Sequence, residues 1–108
     1  MTLYGDAVFS LDMNPSMQHY IDKIGAFLSE HPEATLQIIG HTQELGSIVK
    51  NADRSLELAR KVRRFFRNNG INYRRIKTKA KGATEPILTP QYPQAETKNN
   101  RVEIKIIQ

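Results

Sequence analysis

The sequence predicts an α/β two-layer sandwich, with the order β-α-β-α-β-loop-β and two helices packed on one face of a mixed sheet. Three observations lead to this prediction. Apolar residues recur at helical spacing in two separate segments, which indicates two amphipathic helices. Short apolar and β-branched segments lie before, between and after them, which indicates strands. The chain of 108 residues has no internal repeat and is long enough for a single domain, residues 1–108, with its own core.

The first half of the chain is predicted to form a strand, a helix and a second strand. The apolar segment 7–11 predicts the first strand, and turn residues follow it. Ser16 is placed to cap a helix that ends before Pro32. The inward face of this helix carries apolar and aromatic residues, namely Met17, Tyr20, Ile21, Ile24, Phe27 and Leu28. The segment 36–39 is apolar and β-branched, and it predicts a buried strand.

The second half is predicted to form a helix and two more strands. The helix covers about 53–69, and Gly70 supplies its stop signal. Strands are predicted at 74–80 and 101–107, and the second of these alternates apolar and charged residues. The segment 82–100 between them contains three prolines and is too long for a simple hairpin. We therefore expect it to be an ordered functional loop or an insertion.

The composition excludes several classes of protein. With 39% hydrophobic and 25% charged residues, the chain is typical of a globular domain. It has no apolar run of about 18 residues and therefore no transmembrane segment. The absence of cysteine excludes disulfides and thiolate metal sites within these residues. We expect the chain to be one domain taken from a longer protein, whose membrane anchor lies in a segment not present here.

Positive charge is concentrated in one part of the chain. The net charge is +5, and twelve of the sixteen Lys and Arg residues lie between Lys50 and Lys81, against two acids, Asp53 and Glu57. Such a surface suits nucleic acid, anionic lipid or a carboxylate-rich polymer. The alternative interpretation, which we favour, is a solvated helix face together with the polar side of a strand.

The stretch from Gly40 to Ser47 is the most informative motif. A predicted strand enters it and a predicted helix leaves it, and Asn51 and Ser55 follow within that helix. Backbone N–H groups and polar side chains are therefore expected at a helix N-terminus, where anionic groups bind readily.

These residues resemble the OmpA-like C-terminal domain, the periplasmic peptidoglycan-binding module of outer-membrane proteins, envelope lipoproteins and flagellar stator proteins. The family pattern is roughly G-H-T-D-x-x-G-S, N-x-x-L-S-x-x-R-A-x-x-V, G-I, G-x-x-x-P and a closing N-R-R-V-E-I. The matching residues run in order through nearly the whole chain: Phe9, Asp12, Gly40, His41, Thr42, Gly46, Ser47, Asn51, Ser55, Ala59, Val62, Gly70, Ile71, Gly82, Pro86, Asn99, Arg101, Val102, Glu103 and Ile104.

The resemblance implies non-covalent anchoring to the cell wall. In the family, the Asp of T-D binds the ammonium of a diaminopimelate residue in the peptidoglycan stem, and the Arg of S-x-x-R-A binds its carboxylate. In this chain those positions are Gln43 and Leu58. We therefore expect binding to the stem peptide to be weakened or lost. The degenerate pocket is predicted to comprise Gly40, His41, Thr42, Gln43, Glu44, Asn51, Arg54, Leu58 and Arg101.

A relocated clamp is the alternative. Leu and Arg are exchanged between positions 54 and 58 relative to the family, and residues four apart share one stripe of a helix. Arg54 would then reach the pocket from one turn earlier, with Glu44 replacing the acid, and the chain would be a functional wall anchor. We favour the simpler interpretation, in which Leu58 joins the core and Arg54 faces solvent, because a bidentate guanidinium contact tolerates little displacement.

No enzymatic or metal site is predicted. The three histidines share no metal-ligand spacing, and there is no P-loop or dinucleotide fingerprint. We expect no cofactor, and we regard a nucleic-acid binder as the least supported hypothesis. Taken with the resemblance, this predicts a structural module in the periplasm, attached to the outer membrane through another segment. Its expected partners are other envelope proteins of a larger assembly, such as a secretion system.

Overall fold

The computed structural model describes residues 1–4, 8, 15–87 and 98–108. Its elements, in chain order, are β1 (Thr2–Tyr4), α1 (Pro15–Glu30), β2 (Thr35–His41), α2 (Ile48–Asn68), a 3₁₀ turn (Tyr73–Arg75), β3 (Ile76–Ala80) and β4 (Arg101–Ile107). The predicted order of elements is confirmed from the first helix onwards. No helix in these described ranges has the length and apolar character needed to cross a membrane.

The four strands form one mixed sheet in the order β1-β4-β2-β3. β2 and β3 are parallel, with Leu36 opposite Ile76, and they are joined by the crossover helix α2. β4 lies between β1 and β2 and is antiparallel to both. The predicted mixed sheet is therefore confirmed.

The core lies between one face of the sheet and the two helices. Alternate residues of β2, Leu36 and Ile38, face the helices together with Val102 and Ile104 of β4. The helices contribute their apolar stripes: Ile21, Ile24, Leu28, Leu58, Ala59, Val62 and Phe66. The predicted two-layer α/β sandwich is confirmed.

Several element boundaries differ from the prediction. β2 covers Thr35–His41 instead of 36–39, and α1 begins at Pro15, so Ser16, the predicted cap, lies within the helix. α2 begins at Ile48 instead of Asp53, because the Ser47 side chain caps it by accepting a hydrogen bond from the Lys50 N–H at 3.1 Å. Its first three side chains are exposed, Ile48 by 87%, and the fourth is the polar Asn51, so this turn has no inward apolar residue to reveal it. β3 begins at Ile76 instead of Arg74, because the 3₁₀ turn occupies the two preceding positions.

The first strand differs more. β1 lies at Thr2–Tyr4, where Leu3 is opposite Val102 of β4. Val8 is the one described residue of the predicted strand 7–11; it is helical and fully buried, so the prediction is wrong there. The other residues of that segment lie outside the described residues. β1 is three residues long and is defined by pairing with the opposite end of the chain, which a local sequence pattern cannot reveal.

Candidate functional site

Gly40 allows β2 to pass directly beneath α2. A Cβ at this position would lie 1.8 Å from the carbonyl oxygen of Ser55 and 3.3 Å from the Cβ of Ala59. Ser55 is fully buried, and its hydroxyl accepts a hydrogen bond from the Gly82 N–H at 2.9 Å. The spacing between Gly40 and Ala59 therefore reflects a close crossing of helix over strand, where only small residues fit.

Thr42 and Gln43 are tied to the residue that precedes β4. The Thr42 hydroxyl donates to Oδ1 of Asn100 at 2.9 Å, and the Gln43 N–H donates to the same oxygen at 3.1 Å. Thr42 is almost fully buried, and its own N–H donates to the Gly82 carbonyl at 2.9 Å. Asn100 therefore organises the loop, although the sequence analysis did not select it. The signal that could have found it is a polar residue directly before an alternating strand.

Glu44 and Asn51 fold the rest of the loop onto the start of α2. Asn51 accepts from the Leu45 N–H at 2.8 Å and donates through Nδ2 to Glu44 Oε1 at 2.9 Å. The Gly46 N–H donates to the same carboxylate oxygen at 2.8 Å. The hydrogen bond from Asn51 is the main cause that lowers the pKa of Glu44. In this conformation both side chains stabilise the loop.

The two helical positions of the predicted clamp have different environments. Leu58 is 1% exposed and belongs to the hydrophobic core. Arg54 is partly exposed, and its Nη1 lies 3.1 Å from Oε1 of Glu57 on the same helix. The position of the family's Arg is therefore occupied by the apolar core side chain of Leu58, and Arg54 is paired with Glu57 on the surface of the helix.

A cavity of about 320 Å³ lies between the start of α2 and the segment after β3. Its lining consists of Glu44, Ile48, Asn51, Ala52, Ala80, Lys81, Gly82, Ala83 and Thr84. Of the nine residues of the predicted pocket, Glu44 and Asn51 line this cavity, whereas Arg54 and Leu58 do not. The structure therefore does not bring the proposed Glu44 and Arg54 pair together around it.

His41 and Arg101 lie on the other face of the sheet, away from the helices. They are opposite each other in β2 and β4, and both are buried. His41 Nε2 is 2.7 Å from Oε1 of Glu103, and Arg101 donates to the Glu85 carbonyl at 2.8 Å. Burial is the main cause that lowers the pKa of His41; Arg101 lowers it further, and Glu103 opposes both.

This cluster is a balanced charge network. The ligand atoms of His41, Glu85 and Glu103 lie within 4.8 Å of one another, which is a spacing that a metal ion would accept. Lys81 is 2.6 Å from Glu85, however, and Arg101 adjoins both carboxylates. The acidic groups are thus already compensated by cations, which opposes binding of a divalent metal ion.

The buried neutral His41 predicts a pH-dependent stability. Its pKa in the folded state is below the ordinary value of 6.5, so the unfolded chain binds more protons as the pH falls through that value. We expect the melting temperature of the protein to fall between pH 7.5 and 5.5. The lowered pKa values of Glu44 and Glu85 affect stability at lower pH, below about their ordinary value of 4.5.

The measurement is thermal unfolding of the protein and its His41→Gln variant at both pH values. The variant should show a smaller decrease in melting temperature on acidification. His19→Gln, which changes an exposed histidine of α1, is the matched control and should behave like the parent. Equal decreases in melting temperature for the parent and His41→Gln would contradict the assignment of this pH dependence to His41.

The sequence and the fold are similar to those of known envelope proteins. The OmpA family profile matches residues 9–101. Outer membrane protein A of Bordetella avium is 27% identical over 105 residues, which cover 94% of this chain and 54% of that protein. The chain spans between 11% and 54% of the length of the curated relatives it matches.

Solved structures show the same fold. The peptidoglycan-associated lipoprotein from Burkholderia pseudomallei superposes with a TM-score of 0.76 at 19% identity, covering 98% of this chain and 89% of that one. The C-terminal domain of Helicobacter pylori MotB gives a TM-score of 0.68 at 23% identity, covering 90% and 76%. Since the profile match extends from Phe9 to Arg101, nearly the whole length, the chain belongs to the OmpA family.

Proposed function

We propose that this chain is a non-catalytic periplasmic module of an envelope protein in which peptidoglycan binding through the family's charged pair is weakened or lost. The family and the fold support an envelope role, and one of its structural relatives is named for its association with peptidoglycan. The attachment to the outer membrane through a further segment, and a scaffolding role in a larger assembly such as a secretion system, are part of the same proposal.

The burial of Leu58 is the observation that carries the proposal. An apolar side chain that is 1% exposed in the core provides no donor for a ligand carboxylate. Gln43 likewise provides no negative charge for a ligand ammonium. A charge-assisted hydrogen bond contributes about 1.5–3 kcal/mol, so the loss of two weakens binding by about a hundredfold or more.

The relocated clamp of Glu44 and Arg54 is the second candidate, and the contacts argue against it. Glu44 is held by Asn51 and Gly46, and Arg54 lies against Glu57. Binding a stem peptide with this pair would require both side chains to leave those partners.

A protein partner is supported by the exposed surface beside the loop. Ile48 and Val49, at the start of α2, are 87% and 69% exposed, and Ile48 also lines the cavity of about 320 Å³. Adjacent exposed apolar side chains next to a concave surface are typical of contact sites between proteins.

The test is binding to purified peptidoglycan sacculi by co-sedimentation and to a soluble diaminopimelate stem peptide by calorimetry. We expect a Kd for the stem peptide weaker than about 1 mM. A micromolar Kd that is abolished by Arg54→Ala would refute the proposal and support the relocated clamp.

A further inference from the structure

The segment from Leu58 to Thr84 contains ten Lys and Arg residues and no acidic residue. The fold uses some of these cations internally. Arg75 donates hydrogen bonds to the carbonyls of Leu28, His31 and Ala34, where it stabilises the end of α1, and Lys81 binds Glu85. Three other cations of the segment, Arg63, Arg74 and Lys77, meet at one groove.

That groove lies between the second half of α2, the 3₁₀ turn and β3. It has a volume of about 460 Å³ and is lined by Arg63, Tyr73, Arg74, Ile76, Lys77 and Thr78. None of its lining residues is acidic. Within the described ranges, Arg63, Arg74 and Lys77 form no side-chain hydrogen bond or ion pair. A concave surface lined by charge of one sign concentrates its field and attracts ions of opposite sign.

We propose that this groove, the basic groove, binds a polyanionic glycan, meaning a sugar chain that carries sulfate, phosphate or carboxylate groups. The guanidinium groups of Arg63 and Arg74 have the geometry for bidentate contact with such oxyanions, and Lys77 adds a third positive charge. Tyr73, which is 53% exposed, provides a flat apolar ring against which a sugar ring packs.

The aromatic content favours a glycan over other polyanions. Tyr73 is the one large exposed hydrophobic residue among the described residues of the lining, so the groove has little apolar surface to insert into a lipid bilayer. Single-stranded nucleic acid is usually bound by several stacking aromatic residues. Of the three aromatic residues between 58 and 84, Phe66 is fully buried and Phe65 packs against the core.

Heparin is the probe for this proposal, and neutral dextran of similar length is the negative control. The groove variant combines Arg63→Gln, Arg74→Gln and Lys77→Gln. The matched control combines Lys50→Gln, Arg60→Gln and Arg64→Gln, which removes the same number and types of charge from exposed positions outside the groove. Calorimetry at several salt concentrations gives the Kd and its salt dependence.

We expect the groove variant to bind heparin at least about tenfold more weakly than the parent and with a shallower salt dependence. The control should stay within about threefold of the parent, and Tyr73→Ser should weaken binding several-fold. The melting temperatures of all variants are measured alongside. If the triple groove variant unfolds, Arg74→Gln alone, at an exposed position, provides the test and should weaken binding about threefold.

Equal loss of affinity in the groove and control variants would overturn the proposal, since it would show an effect of net charge alone. It would also be overturned if vesicles with about 30% anionic phospholipid, or an oligo-dT strand, bound more tightly than heparin through the same three residues. The basic groove shares no residue with the Gly40–Ser47 loop, so these outcomes are independent of the proposed function.

Discussion

The double variant Gln43→Asp, Leu58→Arg is expected to bind a diaminopimelate stem peptide at least about a hundredfold more tightly than the parent. The two substitutions restore the carboxylate and the guanidinium that the family uses, on a loop that retains the family's glycines, threonine and asparagine. Each restored contact is charge-assisted and is worth about 1.5–3 kcal/mol. The measurement is calorimetry with the soluble peptide, together with co-sedimentation on sacculi.

The core position of Leu58 requires a control for the double variant. Leu58→Arg removes a buried apolar side chain, so the variant will be less stable and must be assayed well below its melting temperature. Gln43→Asp combined with Leu58→Met keeps the core volume and restores only the acid. We expect it to gain about tenfold to a hundredfold in affinity, less than the double variant gains. A folded double variant that binds no better than the parent would show that more than these two positions separates this chain from the family's binding members.

Gly40→Ala is expected to destabilise the protein severely. The new Cβ would lie 1.8 Å from the Ser55 carbonyl oxygen. Because this oxygen belongs to the backbone of α2, the clash is relieved only if the helix moves away from β2. Overpacking usually lowers the free energy of unfolding by about 1–3 kcal/mol. Because this clash is with a backbone atom, we expect a loss at or above the upper end of that range. A loss of about 3 kcal/mol lowers the melting temperature by roughly 12 °C or more in a domain of this size.

Gly25→Ala is the matched control for that substitution. Gly25 lies within α1, and a Cβ there would have no neighbour within 4 Å. Alanine is favoured over glycine within helices by up to about 1 kcal/mol, so this variant should be slightly more stable than the parent. Thermal unfolding of both variants checks the pair of predictions, and a Gly40→Ala variant with the parent's melting temperature would show that the helix and strand can separate without cost.

The elements predicted correctly from the sequence are those marked by a pattern of residues close together in the chain. The apolar stripe of α1 and the alternation in β4 each identify an element without knowledge of what it contacts. The errors occur where the signal is not local. The first turn of α2 is held by the Ser47 cap and exposes Ile48, and β1 exists because Leu3 pairs with Val102 near the other end of the chain.

The candidate site shows the same division. The sequence analysis placed His41 and Arg101 in one pocket with Glu44, because the first two match the family's motifs and Glu44 was the candidate to replace the family's acid. In the structure His41 and Arg101 lie on the sheet face opposite the helices, while Glu44 lies with Asn51 at the start of α2. Side chains alternate between the faces of a strand, so neighbouring motif residues of β2 point in opposite directions.

Periodicity and residue identity are enough to predict the fold class, the position of the motif loop and the absence of charge at Gln43 and Leu58. Which of these residues share a site depends on the tertiary structure. Strand register placed His41 beside Arg101, the rotation of α2 buried Leu58, and the packing of α2 near the 3₁₀ turn brought Arg63 and Arg74 to one groove. Each of these arrangements depends on how whole elements pack, which no local pattern of the sequence contains.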